Sequence, residues 1–161
     1  MFQKILVPLD GSSLGEAALP YVEGLVAELS PKIRNEITLY QAVASMPHYA
    51  VVDGEDMANI PLVYTEKEIE QFKKQAADYL NEAGENLRSK GVDVRIMVGV
   101  GEAAEGICRV ADDIDADLVA MSTHGRSGIS RWAFGSIADR VLRAGKAPVL
   151  IVRPAKEAKK A

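Results

Sequence analysis

The sequence predicts an α/β fold built as a doubly wound open sheet. Three observations carry this. Apolar segments of strand length alternate with segments of helical periodicity along the chain, and parallel strands need crossover connections of that kind, which put helices on both faces of the sheet. Runs such as DLVAM at 117–121 are continuous enough to read as buried strands. With 161 residues, 48% of them hydrophobic, the chain is long enough for one domain with a sizeable core and too short for two ordinary ones.

The elements follow in order. Residues 4–9 (KILVPL) form an apolar strand. Ser13 and Glu16 then make a capping-box pattern, opening a helix with Leu14, Ala17, Ala18, Tyr21, Val22, Leu25 and Leu29 on one side. Pro20 is expected to kink it. Residues 36–42 (EITLYQA) are a second strand. After an irregular stretch, Thr65 and Glu68 form another capping box, and Ile69, Phe72, Ala76, Tyr79, Leu80, Ala83 and Leu87 recur at helical spacing until Gly91. Residues 92–98 are a third strand, 103–113 a helix, 117–121 the fourth strand, 136–144 the last helix and 149–152 the final strand. The fold is expected to occupy residues 1–154, with 155–161 a basic, flexible tail. Residues 45–64 are as long as structureless connections become, and Pro47, Gly54 and Pro61 discourage a helix there. A mobile cover over the site is expected from them.

Charge and composition exclude several function classes. A net charge of −4 argues against a protein that coats nucleic acid, which needs a basic excess on one face. One cysteine excludes an intrachain disulfide, and no Cys/His cluster suggests a structural zinc. Cys108, beside Ile107 and Ala111, reads as a small buried thiol. The apolar run at 5–9 is too short for a signal-peptide core or a membrane span, so a cytoplasmic protein is expected. Asp53, Glu55 and Asp56 read as a solvated loop face, and no metal site is expected of the protein's own side chains.

Ligands of doubly wound sheets bind beyond the carboxyl ends of strands, where the winding reverses. Two segments here suit that place: PLDGS at 8–12, and STHGRSGISRWAFGS at 122–136, between the fourth strand and the last helix. Glycines in a strand-to-helix loop let backbone N–H groups and a helix N-terminus approach an anion, so phosphate binding is the chemistry suggested. Other uses of the same residues stand beside it. Ser136 with Asp139 is also an ordinary N-cap arrangement, Gly125, Gly128 and Gly135 also serve turns, and Asp10-Gly11 is a turn signal. Trp132 and Phe134 read as cover for apolar surface, and His124 as a loop hydrogen-bonding group. Catalysis has thin support: there is no G-x4-G-K-[ST] loop, no general base can be named, and Gly99-Val-Gly101 is only a fragment of a dinucleotide fingerprint.

KILVPLDGS, EITLYQAV, GEAAEGI, DLVAMSTHGRSGISRWAFGSIADRV and PVLIVRP together resemble the universal stress protein family, over nearly the whole chain. The resemblance implies five mainly parallel strands in the order 3-2-1-4-5. Nucleotide-binding members carry G-x2-G-x9-G-[ST]; Gly125, Gly135 and Ser136 match it in register, and Ser122 stands where the first glycine falls. By this resemblance, N–H groups of Gly125, Gly135, Ser136 and Ile137 hold phosphates, and Arg126 and Arg131 are their charge partners. Asp10 faces the ribose or adenine, Pro8 and Leu9 line the base pocket, and Ala42 and Met121 pack on adenine. The implied ligand is ATP, ADP or AMP, with any Mg²⁺ or Mn²⁺ arriving through the phosphates. The implied role is a stress-response sensor or regulator rather than an enzyme. The family also implies a homodimer through Val149–Val152, an apolar edge strand bracketed by Pro148 and Pro154. The alternatives are a member that acts through dimerisation and protein partners without nucleotide, and a weak ATP hydrolase.

Overall fold

The computed structural model describes residues 2–28, 35–43, 48–49, 61–62, 64–123 and 135–153. In chain order the elements are β1 (Lys4–Pro8), α1 (Leu19–Glu28), β2 (Glu36–Val43), β3 (His48–Tyr49), β4 (Pro61–Leu62), α2 (Glu66–Ser89), β5 (Asp93–Val100), α3 (Ala103–Asp113), β6 (Leu118–Ser122), α4 (Ser136–Ala144) and β7 (Val149–Val152). Five of the strands make one sheet in the order β5-β2-β1-β6-β7, all pairs parallel. Counted within that sheet the order is 3-2-1-4-5, as the family resemblance implied.

Two-residue alternation sorts the core onto the two faces of the sheet. Ile5, Val7, Ile37 and Leu39 pack with Val22, Leu80 and Leu87, the buried side chains of α1 and α2. Leu6, Tyr40, Val119 and Met121 pack on the other face with Ile107, Val110 and Val141 of α3 and α4. Ile5, Leu6 and Val7 of the central strand are wholly buried. Each such side chain contributes about 1.5–3 kcal/mol of transfer free energy, so the middle of the sheet is the most strongly held part.

Local signals explain most element ends. Thr65 Oγ1 accepts the Glu68 N–H at 3.3 Å while Glu68 Oε2 accepts the Thr65 N–H at 2.8 Å, completing the capping box of α2. These bonds hold the Glu68 carboxyl below its ordinary value. The far end of α2 closes with Gly91 at φ +81°, its N–H on Arg88 O and the Val92 N–H on Leu87 O. That left-handed residue with its paired bonds is a Schellman motif, which only glycine enters without strain.

Two local expectations are corrected. The Ser13–Glu16 box does not form: the chain enters by a 3-10 turn, Gly15–Ala18, with no side-chain cap. Ser12 Oγ instead accepts the Gly15 N–H at 3.0 Å. Pro20 falls in the first turn of α1, where its missing N–H is one a helix leaves unpaired anyway, so it does not interrupt the helix at mid-length. Ser136 is the first residue of α4 rather than its cap; Gly135 holds the cap position, and no side chain caps the helix. Within the long connection, β3 and β4 pair antiparallel, His48 with Leu62 and Tyr49 with Pro61. Most of the cover expected from 45–64, and the tail at 155–161, lie outside the described residues.

Candidate functional site

The crevice originates in a difference of register. β1 pairs with β2 over five residues, Lys4 to Pro8, but with β6 over only two, Ile5 with Leu118 and Leu6 with Val119. Beyond them the two strands part, and a cavity of about 790 Å³ opens at the carboxyl end of the sheet. That volume lies within the range of small-molecule sites. Its described walls come from Pro8, Leu9, Asp10 and Gly11 after β1, Ala42 near the end of β2, Met121, Ser122 and Thr123 of β6, and Gly135, Ser136 and Ile137 at the start of α4. Nine sequence-predicted residues, Pro8, Leu9, Asp10, Ala42, Met121, Ser122, Gly135, Ser136 and Ile137, are therefore brought together. Gly125, Arg126 and Arg131 lie outside the described residues.

Asp10 is held by its own turn. Its Oδ1 accepts the Ser12 N–H at 3.0 Å and the Ser12 O–H at 2.6 Å, while Gly11 takes φ +79°. A Cβ on Gly15 would run into this carboxylate. Asp10 is thus both the turn residue and a crevice-wall residue, and the two readings of it do not compete.

The glycine at 135 has a steric cause. Its N–H donates to Thr123 O at 2.8 Å, and a Cβ there would collide with that same carbonyl. The bond sets Thr123, just beyond β6, beside the head of α4 on the crevice rim. Thr123 is 3% exposed, and its own N–H donates to Val152 O of β7 at 3.0 Å. Ser136 and Ile137 stand exposed beside the cavity at the first turn of α4, where helix N–H groups and the helix dipole favour an anion.

Several wall residues were not foreseen. On the α2 side the crevice is lined by Gln41, Tyr64, Phe72 and Tyr79. Tyr64 and Phe72 meet edge to face, ring centroids 5.1 Å apart. Tyr79 donates its hydroxyl to Glu16 Oε1 at 2.9 Å, and burial and that carboxylate together push the phenol well above its ordinary value. On the other side Tyr40 is buried with its hydroxyl between Gly99 and Gly106, and a Cβ on either glycine would strike it. Burial raises this phenol too, the nearby Arg109 opposing. Gly99 is therefore accounted for by Tyr40, and Gly101 by its φ of +123° in the turn into α3. Phe72 and Tyr79 were visible only as members of a helical stripe; that they continue past the core into a cavity is a tertiary fact. Cys108 is part-buried, and burial raises its thiol, with Asp112 and Glu102 adding to the effect. It is not poised as a nucleophile. Among the described residues no group of three or more His, Cys, Asp or Glu side chains is arranged to hold a metal ion.

Residues 1–153 match the universal stress protein family. The chain belongs to that family. Universal stress protein YxiE of Bacillus subtilis is 28% identical to it over 156 residues, spanning 95% of this chain and 100% of YxiE. Universal stress protein MJ0577 of Methanocaldococcus jannaschii is 26% identical over 165 residues, spanning 95% and 96%. The solved MJ0577 structure superposes with a TM-score of 0.74 at 23% identity, covering 97% of this chain and 99% of that one. A universal stress protein in complex with cAMP gives a TM-score of 0.61 at 22% identity, covering 94% and 97%. An Arabidopsis thaliana family protein with AMP bound gives 0.64 at 14% identity, covering 97% and 94%. These likenesses show that the present universal stress protein has the family's fold.

Proposed function

We propose that this universal stress protein binds an adenine nucleotide, ATP, ADP or AMP, in the crevice between β1 and β6 and acts as a sensor or regulator rather than as an enzyme. The observation that carries the reading is the Gly135–Thr123 closure. It sets the uncapped first turn of α4 on the rim of a nucleotide-sized cavity, in a chain that also carries Gly125 and Ser136 at the family's motif positions. Family proteins solved with cAMP and AMP support the ligand class. Phosphates would meet the N–H groups of Ser136 and Ile137, the Gly135 N–H that the family resemblance also assigned to phosphate being engaged by Thr123 O, and the Asp10 carboxylate, fixed by its turn, would meet the ribose. Any Mg²⁺ or Mn²⁺ would ride on the phosphates. Acid release of the purified protein should yield an adenine nucleotide, or calorimetric titration of the stripped protein should show saturable binding of AMP, ADP or ATP. Absence of both overturns the reading.

The proposed assembly is a homodimer through β7. Val149, Leu150 and Ile151 are part-exposed on an edge strand of the sheet, and such an edge invites pairing with a second copy across a two-fold axis. Leu150→Lys should convert a dimer into a monomer by sedimentation. A wild type that sediments as a monomer at tens of micromolar, on the order of the concentration where weak complexes dissociate, refutes the interface. The cytoplasm is the proposed location; among the described residues no helix is long and apolar enough to cross a membrane.

A further inference from the structure

The turn that carries Asp10 is tied to a helix distant in sequence. Inside the turn the bonds join neighbours: Asp10 Oδ1 accepts the Ser12 N–H and O–H, Ser12 Oγ accepts the Gly15 N–H, and the Glu16 N–H donates to Ser12 O at 3.2 Å. Bonds of that span fix the shape of a turn but not its place against the rest of the chain. Its place is set from outside. Before the turn the Leu9 N–H donates to Tyr40 O at 2.8 Å, and after it Ala18 is wholly buried in the core. Between them Tyr79 of α2 donates its hydroxyl to Glu16 Oε1 at 2.9 Å, and the Gly11 N–H turns toward the same oxygen. The Tyr79 ring packs on the core as a phenylalanine ring would, so packing accounts for the ring and not for the hydroxyl.

We infer that Tyr79 is a positioning residue: by holding Glu16 from α2, its hydroxyl keeps the Asp10 carboxylate where it meets the ribose of the bound nucleotide. The assignment rests on the nucleotide reading above. Gly15, the residue before Glu16, lies so close to the Asp10 carboxylate that a Cβ on it would run into Oδ1. A shift of Glu16 is therefore passed to Asp10 directly, without slack in between. The bond that prevents the shift is of the stronger kind, because its acceptor is a carboxylate. Burial and that same bond raise the phenol's pKa, so the hydroxyl remains a donor throughout the neutral range. Tyr79 lines the crevice beside Asp10, Gly11 and Gly15, which places this anchor at the site itself rather than at the outer surface of α2.

The test is calorimetric titration with AMP and with 2′,3′-dideoxyadenosine 5′-monophosphate, which lacks both ribose hydroxyls, on wild type, Tyr79→Phe, Glu16→Ala, Asp10→Ala and the Asp10→Ala/Tyr79→Phe double variant. Wild type should prefer AMP by about tenfold or more, the scale of a hydrogen bond to a charged group. Tyr79→Phe and Glu16→Ala should each cut that preference to about threefold or less while binding the dideoxy nucleotide within about twofold of wild type, since only the contact made by Asp10 is lost. In the Asp10→Ala background Tyr79→Phe should change neither affinity further, the non-additivity of groups that act through one another. Both ligands weakened alike in Tyr79→Phe marks a merely structural role and overturns the assignment. A preference that falls in Tyr79→Phe but survives in Glu16→Ala means that the hydroxyl touches the ligand itself, and overturns it too, as does a preference kept in both or a further loss in the double variant. Should Tyr79→Phe fail to fold, Glu16→Ala decides alone. Wild type that binds both ligands alike refutes the ribose contact of Asp10, and wild type that binds neither refutes the nucleotide reading; the Tyr79 assignment falls with either.

Discussion

At the amino-terminal edge of the sheet the polar groups close on one another. The Asp117 carboxylate accepts the N–H groups of Gln3 and Lys4 at 2.9 and 3.0 Å, the Asp117 N–H returns to Lys4 O at 2.8 Å, and Asn35 donates to Phe2 O at 2.6 Å. At the carboxyl-terminal edge the same strands part after Leu6 and Val119, α4 begins without a side-chain cap, and among the described residues no donor reaches Gln41 Oε1. One edge commits its hydrogen-bonding groups to stability, and the other is the one at which the proposed nucleotide would bind. Changes at the first should therefore move stability alone, and changes at the second should move binding first.

The largest separation is expected at Gly135. Gly135→Trp forces a bulky side chain against Thr123 O and across the crevice rim, and should weaken nucleotide binding by about 100-fold or more, roughly 2.7 kcal/mol. Circular dichroism should still report the fold. Undiminished binding by calorimetry would place the nucleotide elsewhere.

Gly106→Ala probes the boundary between the edges. Its Cβ would strike the Tyr40 hydroxyl beneath the site, and overpacking of this kind costs about 1–3 kcal/mol. Urea denaturation should show that loss in the free protein. Unchanged stability would mean that Tyr40 moves aside freely, and the crevice floor would then be softer than its packing implies.

Asp117→Ala is the matching change at the closed edge. It removes the acceptor of two backbone N–H groups on a part-exposed carboxylate and should cost roughly 1 kcal/mol, with nucleotide affinity unaltered. Its pH dependence has a definite sign. The two backbone hydrogen bonds hold the folded-state pKa of Asp117 below its ordinary 3.8. The contribution is therefore fully present above that value and is lost as pH falls below it through the folded pKa. The stability difference between wild type and variant should shrink in that acid window. A constant difference would assign the effect to packing.

What could be read in the sequence divides along the same line. The Thr65–Glu68 box, Gly91, the α3 segment 103–113 and the final strand 149–152 were legible because each is set by neighbours in the chain or by a strong period. The Ser13 box was misread because Ser12, one residue earlier, is claimed by Asp10 and Gly15. Nine residues that line the crevice had been named beforehand, some from the strand-end segments and the motif register and others, such as Ala42 and Met121, only from the family resemblance. Gln41, Phe72 and Tyr79 were not, because an apolar stripe or a strand residue does not say whether it faces core or cavity, and Tyr64, just before the α2 cap, carried no signal of its own. Gly99 shows the converse: a glycine resembling part of a binding motif is explained by the hydroxyl of Tyr40, distant in sequence.

The smallest effect, and the finest discrimination, belongs to Ser122. It is the last residue of β6 and lines the crevice at the place where the family pattern has its first glycine. Its Cβ and hydroxyl occupy space that glycine leaves for the ligand, whereas a hydroxyl can also hydrogen-bond ribose or phosphate. These two effects have opposite signs. Crowding should win here, because the helix N–H groups of α4 and the Asp10 carboxylate already supply polar partners on both sides of the crevice. Ser122→Gly should therefore tighten binding several-fold, under about 1 kcal/mol, while slightly lowering stability through the added backbone freedom at a strand end. Calorimetric titration of the two proteins decides the sign. A loss of affinity of similar size would show that the hydroxyl is a ligand contact, and that this chain has replaced close backbone approach at the first motif position with a side-chain hydrogen bond.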